Sequence, residues 1–443
     1  MANVSGQLVI RKLNMKLIPF LILLYIISYL DRVNVSFAAL TMNKDIGLNA
    51  YIYGWGAGIF FIGYCLFEIP SNLMLARVGA RKWIARILFT WGIASAGTAW
   101  VEGPTSFLTM RFILGVAEAG YFPGVILFLT YWFPVRYRAR IISRFMLAIP
   151  ISLAVGAPVS TWILQRFDGL LGMHGWQWLF LVEGVPAVLF SFAVLKLLPD
   201  SPAHASWLND DERNWLQNEL ERDEEKIVSV VKSGIWEACS NPTVWLFGFI
   251  YFAATGANLA TSMFLPQMVQ QQGFSTTQVG FISAIPYIFG IAGMLGIGHS
   301  SDYFKERKWH LIVSLLLIAA GLGIAGMLGN SFISIMLICV AAIGIMGAKG
   351  PFWPLPSAYL KGAGAAAGIA LINSLGNLGG FAGPYIVGWA KQATNSYSGG
   401  LYAIALLALA AVAVTFFSVK VRKHEANKDG SQRSLGQQLE TDW

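Results

Sequence analysis

Seven ionisable side chains interrupt long stretches of sequence that are otherwise almost free of charge. They are Asp31, Arg32, Glu68, Arg111, Glu118, Glu183 and Lys349. If these stretches are membrane helices, each charge near a helix centre costs about 2.5–3.5 kcal/mol on insertion scales. The charged side chains must therefore pair with one another or face a water-filled cavity.

Two kinds of chemistry are available to the charged residues of the first half. A carboxylate in a low-dielectric site can carry a proton near neutral pH, which makes Asp31 and Glu118 candidates for proton coupling. An arginine stays charged there and can bind a carboxylate through two hydrogen bonds, which makes Arg32 and Arg111 candidates for anion binding. The alternative is a fixed ion pair of Arg111 with Asp31 or Glu118 that only locks helices together.

The spacing of these residues predicts which way they point. Arg111, Gly115 and Glu118 stand at positions i, i+4 and i+7, so they form one helical stripe with the two charges about 10 Å apart. Gly115 leaves room for another backbone or a ligand. Asp31 and Arg32 are adjacent and point about 100° apart on a helix. We therefore expect Asp31 to face the helix of Glu118 and exchange a proton, and Arg32 to face a cavity and bind an anion.

The second half has a single cation of this kind, Lys349, at the start of the segment "KGPFWPLP". Its three prolines cannot sustain a regular helical ladder, and broken membrane helices are tolerated where the backbone lines a cavity. A cation there would oppose the arginines of the first half and suit a ligand with two acidic groups. In the alternative, Lys349 extends its side chain to the membrane surface.

Apolar helices must position these residues. The chain is 56% hydrophobic and 12% charged, whereas soluble domains are about 25% charged. Twelve apolar runs approach the ~20 residues that cross a bilayer, without the alternation of barrel strands. The predicted fold class is an all-α integral membrane protein, with twelve helices in two pseudo-symmetric six-helix bundles. The predicted helices lie at about 15–40, 53–76, 82–100, 106–132, 140–166, 176–198, 243–269, 276–298, 310–329, 332–358, 364–390 and 400–421.

Charge patterns predict the topology and the domain boundaries. Lys and Arg concentrate before the first helix and in the loops after helices 2, 4 and 8, so both termini should be cytoplasmic. An acidic segment separates the two sets of helices, and Asn209 with Glu212 predicts a capped, short amphipathic helix there. We expect a bundle over 1–198, a cytoplasmic linker over 199–241, a second bundle over 242–424 and a disordered cytoplasmic tail over 425–443.

Several function classes lack support in the residues. Cys65, Cys239 and Cys339 have no metal or disulfide spacing. The G-x-G-x-x-G pattern that starts at Gly321 lies inside an apolar run with no preceding strand, so it does not predict a dinucleotide site. We expect no enzyme, no cofactor, no metal and no nucleic-acid partner. The expected partners are the lipid bilayer, a small organic-acid anion and the proton as coupling ion, and the protein should be monomeric.

Several segments resemble the anion:cation symporter family of the major facilitator superfamily. They include "LIPFLILLYIISYLDRVNVSFAAL", "EIPSNLMLARVGARKW", "RFILGVAEAGYFPG" and "GIALINSLGNLGGFAGP". The resemblance implies twelve helices, alternating access and proton-coupled uptake of small organic-acid anions. Its members include bacterial carriers of tartrate, phthalate, 4-hydroxyphenylacetate and sugar acids. It also implies a multi-pass protein of the bacterial inner membrane.

The resemblance assigns roles to individual residues. It assigns proton coupling to the acids of the "LDR" and R-x6-E patterns, Asp31 and Glu118, and substrate contact to Arg32. The positions that match its substrate side are Tyr29, Tyr64, Trp353, Asn373 and Asn377. The alternatives are lipid-facing tyrosines and an interhelix hydrogen bond for Asn373. A tartrate-like dicarboxylate is the first candidate substrate. An aromatic carboxylate such as phthalate or 4-hydroxyphenylacetate, and an exporter or anion exchanger of the same fold, stay open.

Overall fold

The structure is a computed structural model that describes residues 6–228, 235–360 and 365–419. The predicted tail over 425–443 and the outer ends of two predicted helices, at 364 and 421, lie outside these ranges. The described residues form helices and connecting turns, with no strand among them. The helices are α1 (Gly6–Asp45), α2 (Ala50–Val78), α3 (Ala80–Gly97), α4 (Pro104–Glu118), α5 (Tyr121–Thr130), α6 (Val135–Met146), α7 (Ala148–Arg166), α8 (Gly175–Leu197), α9 (Asp210–Val228), α10 (Ile235–Ser240), α11 (Pro242–Gln270), α12 (Thr276–Tyr303), α13 (Lys308–Leu328), α14 (Phe332–Gly347), α15 (Lys349–Phe352), α16 (Pro354–Tyr359), α17 (Ala365–Thr394) and α18 (Ser398–Ser418).

All twelve predicted membrane helices are present, and three of them are divided into shorter helices. Ten segments are long and apolar enough to cross a membrane, counting α4 with α5, α6 with α7, and α14 with α15 and α16 as one segment each. The other two crossings are α3 and α17. Basic residues near the start of α3 and several glycines in α17 lower their hydropathy. Both pack closely in the bundles, α3 against α8 and α17 against α11.

The membrane span predicted over 106–132 is present as Pro104–Thr130, but the chain breaks within it, between α4 and α5. Ala119 is extended (φ −53°, ψ 132°) and Gly120 is left-handed (φ 84°), a conformation that glycine adopts without strain. Pro123 then lacks the N–H that would continue the ladder. Glu118 is therefore the last residue of α4, where its carboxylate lies beside a helix end rather than within a regular turn.

The interruption predicted at Lys349 is confirmed, but it bends the chain less than its prolines suggest. The helix ladder stops at Gly347 and again at Phe352, which divides the segment into α14, α15 and α16. The linking residues Ala348 and Trp353 keep right-handed helical angles. The segment therefore loses backbone hydrogen bonds at its two interruptions but continues in the same direction.

The predicted capping box is present at the N-terminus of α9, the longer helix of the linker. The Asn209 side chain accepts from the backbone N–H of Glu212 at 2.8 Å, and the Glu212 carboxylate accepts from the backbone N–H of Asn209 at 3.0 Å. Helix α9 is tied to the first bundle by ion pairs of Lys12 with Glu212 (2.7 Å) and Arg136 with Glu219 (3.1 Å). These contacts define the linker side of the molecule, where α8 ends.

The two bundles meet closely at the opposite end, called here the loop side, where α1 ends and α2 begins. The Tyr53 hydroxyl donates to the backbone oxygen of Met263 at 2.9 Å. Thr277 of α12 donates to Gln165 of α7 at 2.6 Å. Both hydrogen bonds join one bundle to the other. The structure is therefore closed between the bundles on the loop side.

Candidate functional site

A cavity of about 100 Å³ lies between the two bundles. Helices from both bundles line it, including α1 and α2 from the first and α11, α15 and α17 from the second. Seven of the eight residues predicted to bind substrate are among its lining residues. They are Tyr29, Arg32, Tyr64, Lys349, Trp353, Asn373 and Asn377.

Arg32 is paired with the carboxylate of Glu118. A terminal nitrogen of the Arg32 guanidinium donates to Glu118 Oε1, and the hydroxyl of Ser28 donates to the same oxygen at 2.9 Å. Glu118 is 1% exposed, whereas the Arg32 side chain keeps 13% of its surface open. Arg32 thus faces the cavity while its internal counter-ion lies behind it.

Aromatic rings hold the Arg32 guanidinium from several sides. Its central carbon lies 5.3 Å from the ring centre of Phe60, 5.5 Å from those of Tyr29 and Tyr64, and 5.9 Å from that of Phe61. A guanidinium within about 6 Å of a ring centre is attracted by its quadrupole, most strongly where water is excluded. The rings therefore position the cation without neutralising it.

Arg111 does not join Arg32 at the cavity. It is fully buried, its Nε donates to the backbone oxygen of Gly56 at 3.1 Å, and its guanidinium lies 5.2 Å from the ring centre of Phe60. The cause is the close packing of α4 on α2. A Cβ placed on Gly115 would lie 2.0 Å from the backbone oxygen of Phe60. The room predicted at Gly115 is thus taken by the backbone of α2, and Arg111 points into that interface.

Asp31 faces α3, so the expectation that it faces the helix of Glu118 is wrong. Its carboxylate accepts from Trp91 Nε1 at 2.8 Å, Ser95 Oγ at 2.7 Å and Asn34 Nδ2 at 3.2 Å. Asp31 is 1% exposed and does not line the cavity. Because neighbouring helix residues point about 100° apart, an Arg32 that meets Glu118 turns Asp31 to another helix. The two polar residues one turn apart on α3, Trp91 and Ser95, were the available sequence signal.

Lys349 lines the cavity, as predicted for a cation that opposes the arginines of the first half. It is half-buried, it lines the cavity together with Trp353 one turn later, and among the described residues it has no ion-pair partner. Trp353 packs edge-on against Tyr251 of α11, with 5.0 Å between ring centres. The cavity therefore has one cation from each bundle.

Glu68, one of the seven buried charges, meets the second bundle. Its Oε1 accepts from Asn373 Nδ2 at 3.0 Å, across the interface between α2 and α17. Asn377 stands one turn after Asn373 on α17. Both amides line the cavity, so Glu68 lies directly behind two of its polar residues.

Further polar lining residues come from α1 and α11, and the sequence reasoning did not include them among the substrate positions. They are Tyr25, Tyr251, Thr255 and Asn258. The signal for the last three was their position on one face of an apolar helix, at spacings of three and four residues. They enlarge the set of hydroxyl and amide groups near the two cations.

Comparison with known proteins identifies relatives along most of the chain. The sequence profile of the Major Facilitator Superfamily matches residues 21–384. The chain is 46% identical over 407 residues to a protein of Agrobacterium vitis named "Putative tartrate transporter", covering 92% of this chain and 94% of that protein. It is 42% identical over 409 residues to the "Quinolone resistance transporter" of Acinetobacter baumannii, covering 92% and 94%.

A solved structure has the same fold. The xylose transporter XylE from E. coli, in a partially occluded inward-open conformation, superimposes with a TM-score of 0.72, covering 92% of this chain and 99% of that protein. The two sequences are 16% identical. At this identity the likeness concerns the fold alone.

Proposed function

The chain belongs to the major facilitator superfamily, a family of transporters and not of enzymes, and we propose that it imports a small organic dianion by proton symport. A tartrate-like dicarboxylate is the substrate class that we favour. The cycle runs by alternating access in the bacterial inner membrane, with both termini cytoplasmic. The conformation closed on the loop side is then the one that faces the cytoplasm.

The observation that carries this proposal is the charge of the cavity. Its lining contains two cations, Arg32 from the first bundle and Lys349 from the second. Among the described lining residues there is no carboxylate. A ligand with two acidic groups can bridge the two cations, and the volume of about 100 Å³ is well below the ~300–1,000 Å³ of sites for drug-sized ligands.

The Arg32–Glu118 pair supports coupling to protons. An incoming carboxylate must compete with Glu118 for Arg32. When Glu118 takes up a proton, it no longer neutralises Arg32, and the cation becomes free to bind the substrate. Proton binding and anion binding therefore favour each other, and the coupling is reciprocal. Asp31, the second proposed proton carrier, acts through its contacts with α3 rather than by pairing with an arginine.

Two further functions have specific support. The rings of Phe61, Phe122 and Trp353 in the cavity lining would suit an aromatic carboxylate such as phthalate or 4-hydroxyphenylacetate. The similarity to a quinolone resistance transporter favours export, because resistance proteins of this kind lower the internal concentration of a compound. An exporter would need a substrate that leaves as protons enter.

Uptake into liposomes tests the proposal. Purified full-length protein is reconstituted, the external medium is made acidic, and the initial uptake of radiolabelled L-tartrate is followed. We expect accumulation that collapses when a protonophore removes the gradient. Arg32→Ala and Lys349→Ala should each weaken binding about 10- to 150-fold, the range for a hydrogen bond to a charged group.

Lys44→Ala is the matched control, because Lys44 is an exposed cation in the last turn of α1. It should retain wild-type uptake. The proposal is refuted if the wild type accumulates none of L-tartrate, phthalate or 4-hydroxyphenylacetate under the inward proton gradient. Expulsion of a loaded fluoroquinolone under the same gradient would instead support the exporter.

A further inference from the structure

Two predicted substrate contacts are each occupied by a carboxylate of the protein itself. Arg32 holds Glu118, and Asn373 holds Glu68. One of these donors belongs to the first bundle and the other to the second. The structure thus contains two internal carboxylates where a dicarboxylate ligand would bring two of its own.

Glu68 is placed to respond to a ligand at Asn373. It is 6% exposed and stands one turn after Tyr64 on α2. One of its carboxyl oxygens accepts from Asn373, whereas the other is buried without a partner among the described residues. Beside this contact, Cys65 Sγ lies 3.9 Å from the backbone oxygen of Ser374, so α2 and α17 are close along this stretch.

Among the described residues, the surroundings of Glu68 contain one cation and no second carboxylate in contact. The charged or titratable groups that face it are Arg32 on α1, Tyr64 and Cys65 on α2, and Tyr251 on α11. Helix α17 contacts the Glu68 carboxylate through the neutral amide of Asn373. Arg32 is already paired with Glu118. The hydrogen bond that a charged Glu68 receives therefore comes from a neutral donor.

A substrate carboxylate that accepts from Asn373 would lie beside the Glu68 carboxylate. Two ionised carboxylates that share a site repel each other strongly, and one of them must then take up a proton. Unless α2 and α17 separate, the substrate can replace Glu68 at Asn373 only when one of the two carboxylates is protonated. Anion binding at Asn373 is therefore linked to protonation of Glu68, just as anion binding at Arg32 is linked to protonation of Glu118.

We propose that Glu68 is a third proton-binding carboxylate, which must be neutralised before the second bundle can bind the substrate through Asn373. The inference rests on the proposed function and extends it. Each carboxylate of the substrate replaces one internal carboxylate, Glu118 at Arg32 and Glu68 at Asn373. The proton taken up by Glu68 comes from the water of the cavity, and it returns to water when the substrate leaves and the Asn373 hydrogen bond re-forms.

The pH dependence of binding tests this role separately from transport. Calorimetric titration of the purified protein with L-tartrate, from acidic to slightly alkaline pH, gives log Kd against pH. Each proton that must bind with the anion contributes a slope of about one, or tenfold per pH unit. Glu68→Gln keeps an acceptor for Asn373 but cannot titrate. We expect its slope to be lower than that of the wild type by about one.

Glu102→Gln is the control, because it removes one exposed carboxylate from the loop between α3 and α4. It should keep the wild-type slope. If Glu68→Gln also keeps that slope, this inference is wrong and the proposed function stands. If the wild type binds none of the three candidate anions at any pH, the proposed function fails and this inference fails with it.

A second variant keeps the inference testable if Glu68→Gln does not fold. Asn373→Ala removes the shared donor, so Glu68 and the substrate no longer compete for it. Its affinity should be weaker than that of the wild type, with the same reduction of the slope by about one. A slope equal to that of the wild type would overturn the role of Glu68. A purely structural hydrogen bond would change the affinity without changing the slope.

Discussion

Replacement of Gly115 by alanine should separate α4 from α2 and disturb the Arg32–Glu118 pair. The added Cβ would lie 2.0 Å from the backbone oxygen of Phe60, with the next two contacts also to backbone atoms of Phe60. Ordinary carbon–oxygen contacts are about 3.3–3.6 Å. The helices must therefore move apart by roughly 1.3 Å or more, because no side-chain rotation can relieve a clash with backbone.

Two measurements follow from this displacement. Overpacking of this kind costs typically about 1–3 kcal/mol of stability, so the apparent unfolding temperature of the purified protein should fall. Glu118 stands one turn after Gly115 and moves with α4. Because misplacement of aligned groups by 1 Å can cost about 10²-fold in rate, initial proton-driven uptake should fall by about tenfold or more.

Gly296→Ala provides the matched control. Gly296 is an exposed residue of α12, and a Cβ there would have no atom within 4 Å. Its replacement should leave uptake unchanged and stabilise the helix by up to roughly 1 kcal/mol. If Gly115→Ala unfolds at the same temperature as Gly296→Ala and transports equally well, the close contact between α4 and α2 does not position Glu118.

Three other variants have defined outcomes. Asp31→Asn should abolish proton-driven accumulation while sparing exchange of substrate in a counterflow assay; accumulation at the wild-type level would show that Asp31 does not couple. Arg32→Lys keeps the charge but cannot bind a carboxylate through two parallel hydrogen bonds, so its Kd, measured by calorimetry, should rise about tenfold; an unchanged Kd would show that the guanidinium geometry is not used. Glu212 is partly buried, which raises its pKa, but its hydrogen bonds with Lys12 and the backbone of Asn209 lower the pKa overall from the usual 4.5. Its contribution to stability is therefore present above pH 4.5 and lost as the pH falls through the lowered value, so Glu212→Gln should unfold with less pH dependence in this acidic range; an unchanged dependence would exclude the Lys12 contact as its source.

Part of the cavity lining could be predicted from the sequence. The family resemblance assigned Trp353, Asn373 and Asn377 to the substrate side, the prolines beside Lys349 indicated a break at a cavity, and all four residues line one cavity. The breaks near Lys349 followed from its prolines. The break at Ala119–Gly120 was missed, because one glycine and a later proline inside an apolar run are common in membrane helices that stay continuous.

The pairing of the buried charges could not be predicted in the same way. Asp31 was expected to meet α4 and instead meets Trp91 and Ser95. No local pattern predicted that Glu68 would meet Asn373 of the other bundle. Periodicity gives the angle between two residues on one helix, but the rotation of that helix against its neighbours depends on packing. Here the close approach at Gly115 sets the rotation of α4 and removes Arg111 from the cavity.

The sequence by itself determined that this protein is an α-helical membrane protein with few, costly buried charges, and its resemblance to a transporter family implied transport. Apolar runs of bilayer length and a scarcity of charge leave no other fold class, because a backbone in lipid must satisfy its hydrogen bonds within helices or closed barrels. Only the tertiary structure decided which acid lies against which base or amide. Those contacts join residues up to 305 positions apart, and they depend on how helices from two bundles pack around a shared cavity.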